Sequence, residues 1–188
     1  MIHQTPPAQN ARLFAVVGPS GAGKDTLLRL ACAQVPGLHL VRRVITRPPS
    51  AATEPFESAS EEAFAERQKA GEFALDWPAH GLRYGIPRTE LAPLERGETV
   101  LFNGSRKALP QALQAFPGMG VILITAPVEV LADRLAARGR ESAEDIAARL
   151  DRAGFELPGG IRGRVVINDT TPEVGAARLI AALQLASA

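Results

Sequence analysis

Gly18-Pro19-Ser20-Gly21-Ala22-Gly23-Lys24-Asp25-Thr26 decides how the rest of the chain reads. It follows the apolar run Leu13-Phe14-Ala15-Val16-Val17 and leads into Leu27-Leu28-Arg29-Leu30-Ala31-Cys32-Ala33-Gln34. Strand, glycine-rich loop and helix, in that order, are the context in which Gly-x-x-x-x-Gly-Lys binds phosphate. The glycines admit backbone conformations that let N–H groups converge on phosphate oxygens. The helix N-terminus adds partial positive charge, and Lys24 adds a full one at the β- and γ-phosphates of ATP. The motif calls for Ser or Thr after the lysine, to ligate Mg²⁺ through a hydroxyl. Here Asp25 stands there and Thr26 follows. A carboxylate is also a good Mg²⁺ ligand, so Asp25 is a candidate metal ligand. Favouring the helix N-terminus by its charge is the alternative role.

The chain has 188 residues, 46% of them hydrophobic, enough for one domain with its own core. A formal net charge of +1 argues against general nucleic-acid binding. Lys24, Lys69 and Lys107 are the only lysines; every other basic residue is arginine, which suits bidentate phosphate recognition. The single cysteine, Cys32, can form no internal disulfide, and a reducing cytoplasm is the natural compartment. No apolar run approaches the ~20 residues that cross a bilayer, so no membrane association is expected. Residues 1–11 read as a loose tail without a signal-peptide core.

Strands are expected at 12–17, 38–45, 72–77, 82–86, 99–102, 121–125 and 164–167. Helices are expected at 24–35, 60–70, 87–96, 107–116, 127–138, 142–154 and 171–185. Pro127 suits a first helical position, Ser142-Ala-Glu-Asp145 resembles a capping box, and Ser58 or Ser60 caps the helix near 60. Residues 48–59 read as loop. The alternation makes an α/β fold with a mainly parallel sheet covered on both faces. Ligands of such sheets sit at the C-terminal strand ends, where the phosphate loop, Asn103-Gly104-Ser105-Arg106 and the segment after Ile167 gather. The core is expected at 12–37 and 97–188, a substrate-binding insertion at about 38–88, and a lid at about 138–155.

Phosphoryl transfer needs positioning, cations around the γ-phosphate and exclusion of water. Arg134, Arg138, Arg140 and Arg149 are candidate cations, with solvated surface residues as the alternative. Arg134 and Arg138 lie four apart on one helix face. No general base is evident, and an anionic phosphate acceptor requires none. His3, His39 and Cys32 read as surface or packing, His80 as a turn residue and Trp77 as core.

Gly18-Pro-Ser-Gly-Ala-Gly-Lys24, Ile45-Thr46-Arg47, Gly71-Glu72-Phe73, His80-Gly81 with Tyr84-Gly85, Arg134-Leu135 with Arg138-Gly139, Arg149-Leu150 and Ile167-Asn168-Asp169 resemble the guanylate kinase family in order and spacing. The resemblance covers nearly all the chain after the tail. It implies a P-loop kinase fold with an insertion and a lid. It also implies lid arginines at Arg138 and Arg149, a place near the adenine for Asn168, and acceptor-phosphate contacts at Arg47 and Tyr84. The departures are more informative. Leu75 stands where a glutamate of that family reads guanine, and Asn103-Gly104-Ser105 stands for its acidic Asp-x-Asp. Arg43 replaces a serine at the acceptor phosphate, and Ser50 replaces an arginine. The site has lost base-reading acid and gained positive charge, and a site without hydrogen-bonding partners loses base selectivity.

These departures resemble a narrower family, the ribose 1,5-bisphosphate phosphokinases. The resemblance lies in Gly-Lys-Asp at the loop, Arg43-x-Ile45-Thr46-Arg47, Glu54, Leu75-x-Trp77, Gly81-Leu82-x-Tyr84-Gly85, Asn103-Gly104-Ser105-Arg106-x-x-Leu109-Pro110-Gln111-Ala112 and Gly139-Arg140-Glu141. It implies transfer of the γ-phosphoryl of ATP to the 1-phosphate of a sugar bisphosphate, with Mg²⁺. Arg43, Arg47, Arg106 and Tyr84 are then candidates for the acceptor phosphates, and Asn103, Ser105 and Glu54 for ribose hydroxyls. Arg88 is a weaker candidate. A guanylate kinase proper, or a guanylate-kinase-like module that binds phosphorylated proteins, are the rival readings. The sequence leaves the oligomeric state open.

Overall fold

The computed structural model describes residues 12–48, 55–137 and 157–184. Nine strands appear among them: β1 Leu13–Val17, β2 Leu38–Leu40, β3 Val44–Ile45, β4 Glu57–Ser58, β5 Phe73–Ala79, β6 Leu82–Pro87, β7 Thr99–Asn103, β8 Gly120–Thr125 and β9 Arg164–Ile167. The described helices are α1 Lys24–Gln34, α2 Glu61–Lys69, α3 Leu109–Ala115, α4 Val128–Ala136 and α5 Pro172–Gln184. Five strands form one parallel sheet in the order β2-β7-β1-β8-β9. Every residue of β1, its central strand, is buried, because parallel strands packed on both faces must be apolar throughout.

Alternation along the strands divides the core in two. Phe14, Val16, Leu101, Ile122, Ile124 and Val166 pack against Leu27, Leu28 and Ala31 of α1, Leu131 and Leu135 of α4, and Leu179 and Leu183 of α5. Leu13, Ala15, Val17, Val100, Phe102, Val121 and Leu123 face the other way, onto Leu109 and Ala112 of α3 and onto Leu75, Trp77 and Ile86. The latter three come from the second sheet, ordered β4-β3-β6-β5, in which β3–β4 is the parallel pair and the others are antiparallel.

β5 and β6 form a hairpin that turns at His80 and Gly81, with φ of 53° and 72°. Positive φ at both central residues is the backbone that lets a two-residue turn follow the strands' twist. A register shift between Phe73 and Leu75 lets these residues, two apart, serve different cores. Leu75 joins Trp77 under the main sheet. Phe73 turns to Phe64 of α2, their ring centroids 4.6 Å apart, with Val44 completing a small cluster.

The structure differs from the sequence reading in three places. β2 pairs with β7 in the main sheet, so the second sheet takes up only at Val44. The short strand β4 lies inside the stretch read as loop; two residues carry no periodicity to see. Arg88–Arg96 is a 3₁₀ helix with Pro93 inside it, not an α-helix; a proline in the interior removes the i→i−4 donor an α-helix needs there. Ser60 is the cap of α2, its Oγ accepting from the Ala63 N–H at 3.1 Å. The lid expected at 138–155 and the tail fall outside the described residues. No helix among the described residues is long and apolar enough to cross a membrane.

Phe64 is fully buried and anchors a core of three residues. Phe64→Ala is expected to cost about 3–5 kcal/mol where it acts. By hydrogen exchange, amides of β3, β5 and β6 should then lose protection while those of β1 and β8 keep it. Equal loss in both sheets would show that the two cores do not open separately.

Candidate active site

The phosphate loop springs from the end of β1, where the backbone passes close against β8. A Cβ on Gly18 would lie 2.0 Å from the Ile124 carbonyl oxygen, and φ there is 154°. Gly21 and Gly23 also have positive φ, 86° and 85°. These conformations are strained for any residue with a side chain, which is why the loop is written in glycine. Gly23 is the N-cap of α1 and offers no side chain to it, so no side-chain cap competes with an anion for the helix's first N–H groups. Lys24 folds back across the loop, its Nζ donating to Gly18 O at 2.9 Å and Pro19 O at 3.0 Å.

Asp25, in the first turn of α1, meets the end of β7. Its Oδ1 accepts from Asn103 Nδ2 at 2.6 Å. Asn103 is buried, and its backbone carbonyl accepts from Arg43 Nη1 at 2.6 Å. Arg43 is itself only 7% exposed, and its guanidinium carbon lies 5.2 Å from the centre of the Tyr84 ring. Tyr84 in turn stacks on Trp77, with centroids 5.6 Å apart and planes 7° from parallel. Hydrogen bonds and ring contacts thus run from the phosphate loop through a strand end into the second sheet. A buried cation persists when it has such partners.

Arg47 follows β3. Its guanidinium lies over Phe56, 4.4 Å from the ring centre, and its Nε is buried with no hydrogen-bond acceptor among the described residues. Thr46 holds the neighbouring backbone, its Oγ1 accepting from Arg83 N at 2.9 Å. Ser105 caps the 3₁₀ turn Arg106–Ala108, its Oγ accepting from Lys107 N at 3.3 Å, and Arg106 is half-buried at the start of that turn. Leu75 is 3% exposed, packed as core. Arg88 donates from Nε to Gly71 O at 2.8 Å, a surface contact.

On the other side of the loop, Asn168 follows β9 and is 4% exposed. Its Nδ2 donates to Ala22 O at 2.9 Å, and Arg134 Nη1 donates to Asn168 O at 3.0 Å. The carboxamide therefore turns into the loop, and nothing in the sequence pattern signalled that direction. Glu54, Arg138, Arg140 and Arg149 lie outside the described residues. Cys32 is no nucleophile: burial pushes its thiol up to about 11. Among the described residues, no three His, Cys, Asp or Glu side chains gather into a metal cage.

No family model matches the chain. It is similar to the ribose 1,5-bisphosphate phosphokinase PhnN of Rhizobium etli, 44% identical over 189 residues that cover 97% of this chain and 96% of that protein. The protein of the same name from Ruegeria sp. is 50% identical over 84% of this chain and 83% of its own length. The bifunctional ribose 1,5-bisphosphokinase-thymidine phosphorylase of Cupriavidus necator is 48% identical over 91% of this chain. This chain spans 29% of the length of that protein and 30% of its counterpart from Cupriavidus pinatubonensis. Among solved structures, guanylate kinase from Anaplasma phagocytophilum has a TM-score of 0.64 at 19% identity, covering 93% of this chain and 85% of its own. A gluconokinase from Sinorhizobium meliloti has a TM-score of 0.54 at 16% identity, covering 97% and 96%. At such identities the likeness is one of fold.

The bond between Asn103 and Asp25 joins strand end to loop, and breaking it is measurable. Asn103→Ala should lower stability by about 1.5–3 kcal/mol, the worth of a hydrogen bond to a charged group. Denaturant melts should show this in Asn103→Ala but add little when Asp25 is already Ala. Additive losses would mean the two side chains do not depend on each other.

Proposed function

The chain belongs to the ribose 1,5-bisphosphate phosphokinase family, and on that premise we propose that it transfers the γ-phosphoryl group of ATP to the 1-phosphate of ribose 1,5-bisphosphate. The products are ADP and 5-phosphoribosyl 1-diphosphate. One observation carries the choice of acceptor: the buried Arg43 guanidinium held against the Asn103 carbonyl beside the phosphate loop. A permanent cation at this strand end suits an acceptor whose two ends are both phosphates. With Leu75 buried as core, that position offers no carboxylate to read a purine.

The loop N–H groups, the α1 terminus and Lys24 bind the phosphates of ATP. Lys24 must then leave its own carbonyls for the β- and γ-phosphates, as one ion contact replaces two neutral ones. Arg43, Arg47, Arg106 and the Tyr84 hydroxyl hold the acceptor phosphates, and Arg47 brings a buried Nε that lacks an acceptor. Asn103, Ser105 and Glu54 meet ribose hydroxyls. Arg138 and Arg149, in a lid at about 138–155, neutralise the transferring group and exclude water. The second sheet and its flanking loops serve as the acceptor-binding insertion. Asp25, with Thr26, would hold Mg²⁺, which would offset the negative charge of the phosphates. The acceptor oxygen is already anionic, so no side chain need remove a proton from it. The reaction places the protein in the cytoplasm, with ATP and a sugar phosphate as its partners.

A guanylate kinase reading rests on the shared motifs and on fold likeness at 19% identity. A coupled ADP-release assay with Mg·ATP separates the two, offering ribose 1,5-bisphosphate, GMP and ribose 5-phosphate side by side. Turnover is expected with ribose 1,5-bisphosphate alone; turnover with GMP would overturn the acceptor assignment. Arg43→Met should lower kcat/KM for the bisphosphate about 10- to 100-fold and leave ATP affinity nearly unchanged. Asp25→Ser should raise the Mg²⁺ concentration needed for half-maximal rate. An unchanged Mg²⁺ dependence would remove Asp25 from the metal site.

A further inference from the structure

Asn168 is held on every side. Its N–H donates to Thr125 O of β8 at 2.7 Å. Its carbonyl accepts from Arg134 of α4, and the carbonyl of Ile167 before it accepts from Arg178 of α5. The carboxamide is wedged between two glycines. A Cβ on Gly23 would lie 2.5 Å from Nδ2, and a Cβ on Gly175 of α5 would lie 2.6 Å from Oδ1. Oδ1 is buried without a hydrogen-bond partner among the described residues. Leucine has nearly the same shape and would carry no unpaired oxygen. What asparagine adds at this position is the Nδ2 donor, and that donor goes to Ala22 O.

The consequence follows from peptide geometry. No peptide bond among the described residues is cis. In a trans peptide the C=O and the next N–H point in opposite directions. Fixing the Ala22 carbonyl toward Asn168 therefore fixes the Gly23 N–H on the other side. Glycine at 23, with φ of 85°, would otherwise leave that peptide plane free to turn.

We infer that Asn168 is a positioning residue of the phosphate loop: through Ala22 O it aims the Gly23 N–H at the phosphates of the bound nucleotide. It acts on phosphate affinity and not on the choice of base. Asn168 thus holds a backbone donor in place before the anion arrives. This inference rests on the reading of the loop as a nucleotide-phosphate site and is independent of the acceptor.

The test is calorimetric titration of wild type, Asn168→Leu and Asn168→Ala with Mg·ATP, Mg·GTP and Mg·tripolyphosphate, alongside thermal melts of each. Both variants should lose about tenfold in affinity, one hydrogen bond's worth, for all three ligands alike. The ATP-to-GTP ratio should stay as in wild type. Asn168→Leu should melt at or above the wild-type temperature while still losing affinity, a split that a merely structural role would not give. Asn168→Ala makes no new contact and carries the same test where leucine fails to fold. Unchanged affinity, or a loss confined to ATP with tripolyphosphate binding intact, would overturn the inference. Wild type binding none of the three would overturn the phosphate-loop reading itself, and this role with it.

Discussion

A backbone loop can bind an anion only when its N–H groups converge and its carbonyls are kept from competing. Among the described residues, Asn168 holds the Ala22 carbonyl, and Lys24 holds those of Gly18 and Pro19 until it turns to the phosphates. The rest of the molecule is arranged so that this is possible. β1 is the central strand, so the loop leaves the sheet between β7 and β8 and receives a contact from each side. From β7 comes Asn103 to Asp25; from beyond β8 comes Asn168 to Ala22. The glycines are there because backbone and carboxamide approach too closely for a Cβ.

The β7 side joins the proposed nucleotide and acceptor sites. Asn103 gives its amide to Asp25 and its carbonyl to Arg43. One residue therefore links the proposed metal carboxylate to the proposed acceptor cation. Charge at this junction balances locally: a carboxylate on the loop, a guanidinium on the other side, and a neutral amide between them. Placing an acid at position 103 instead would put two carboxylates in contact, and like charges so close raise each other's pKa.

The loop, the parallel sheet and the helices that flank it were legible from Gly18–Thr26 and from the apolar runs 13–17, 99–102 and 121–125. The main strands read clearly because burial on both faces leaves an unbroken apolar run. β4 did not, because its two residues are held by register with β3 and not by their own pattern. The 3₁₀ helix at Arg88–Arg96 reads like an α-helix until Pro93 is weighed. At the site, the identity of Lys24, Asp25 and Arg43 could be read, but not what each touches. Arg43 reads as a candidate for the acceptor phosphates, and only tertiary packing shows it buried beside Tyr84. Asn168 reads as a residue after a strand; its turn toward Ala22 depends on Gly23, which is far from it in the chain, and on Gly175 of the helix that follows.

The central claim is that the transferred group lands on a phosphate of a base-free sugar. Phosphorus NMR of the chain with Mg·ATP and ribose 1,5-bisphosphate observes the new bond itself. The account predicts that the 1-phosphate signal gives way to two coupled diphosphate signals, growing in step with ADP while the 5-phosphate signal stays a monophosphate. A monophosphate pattern that stays unchanged as ATP is consumed, or a diphosphate that forms only when GMP is supplied, would contradict it.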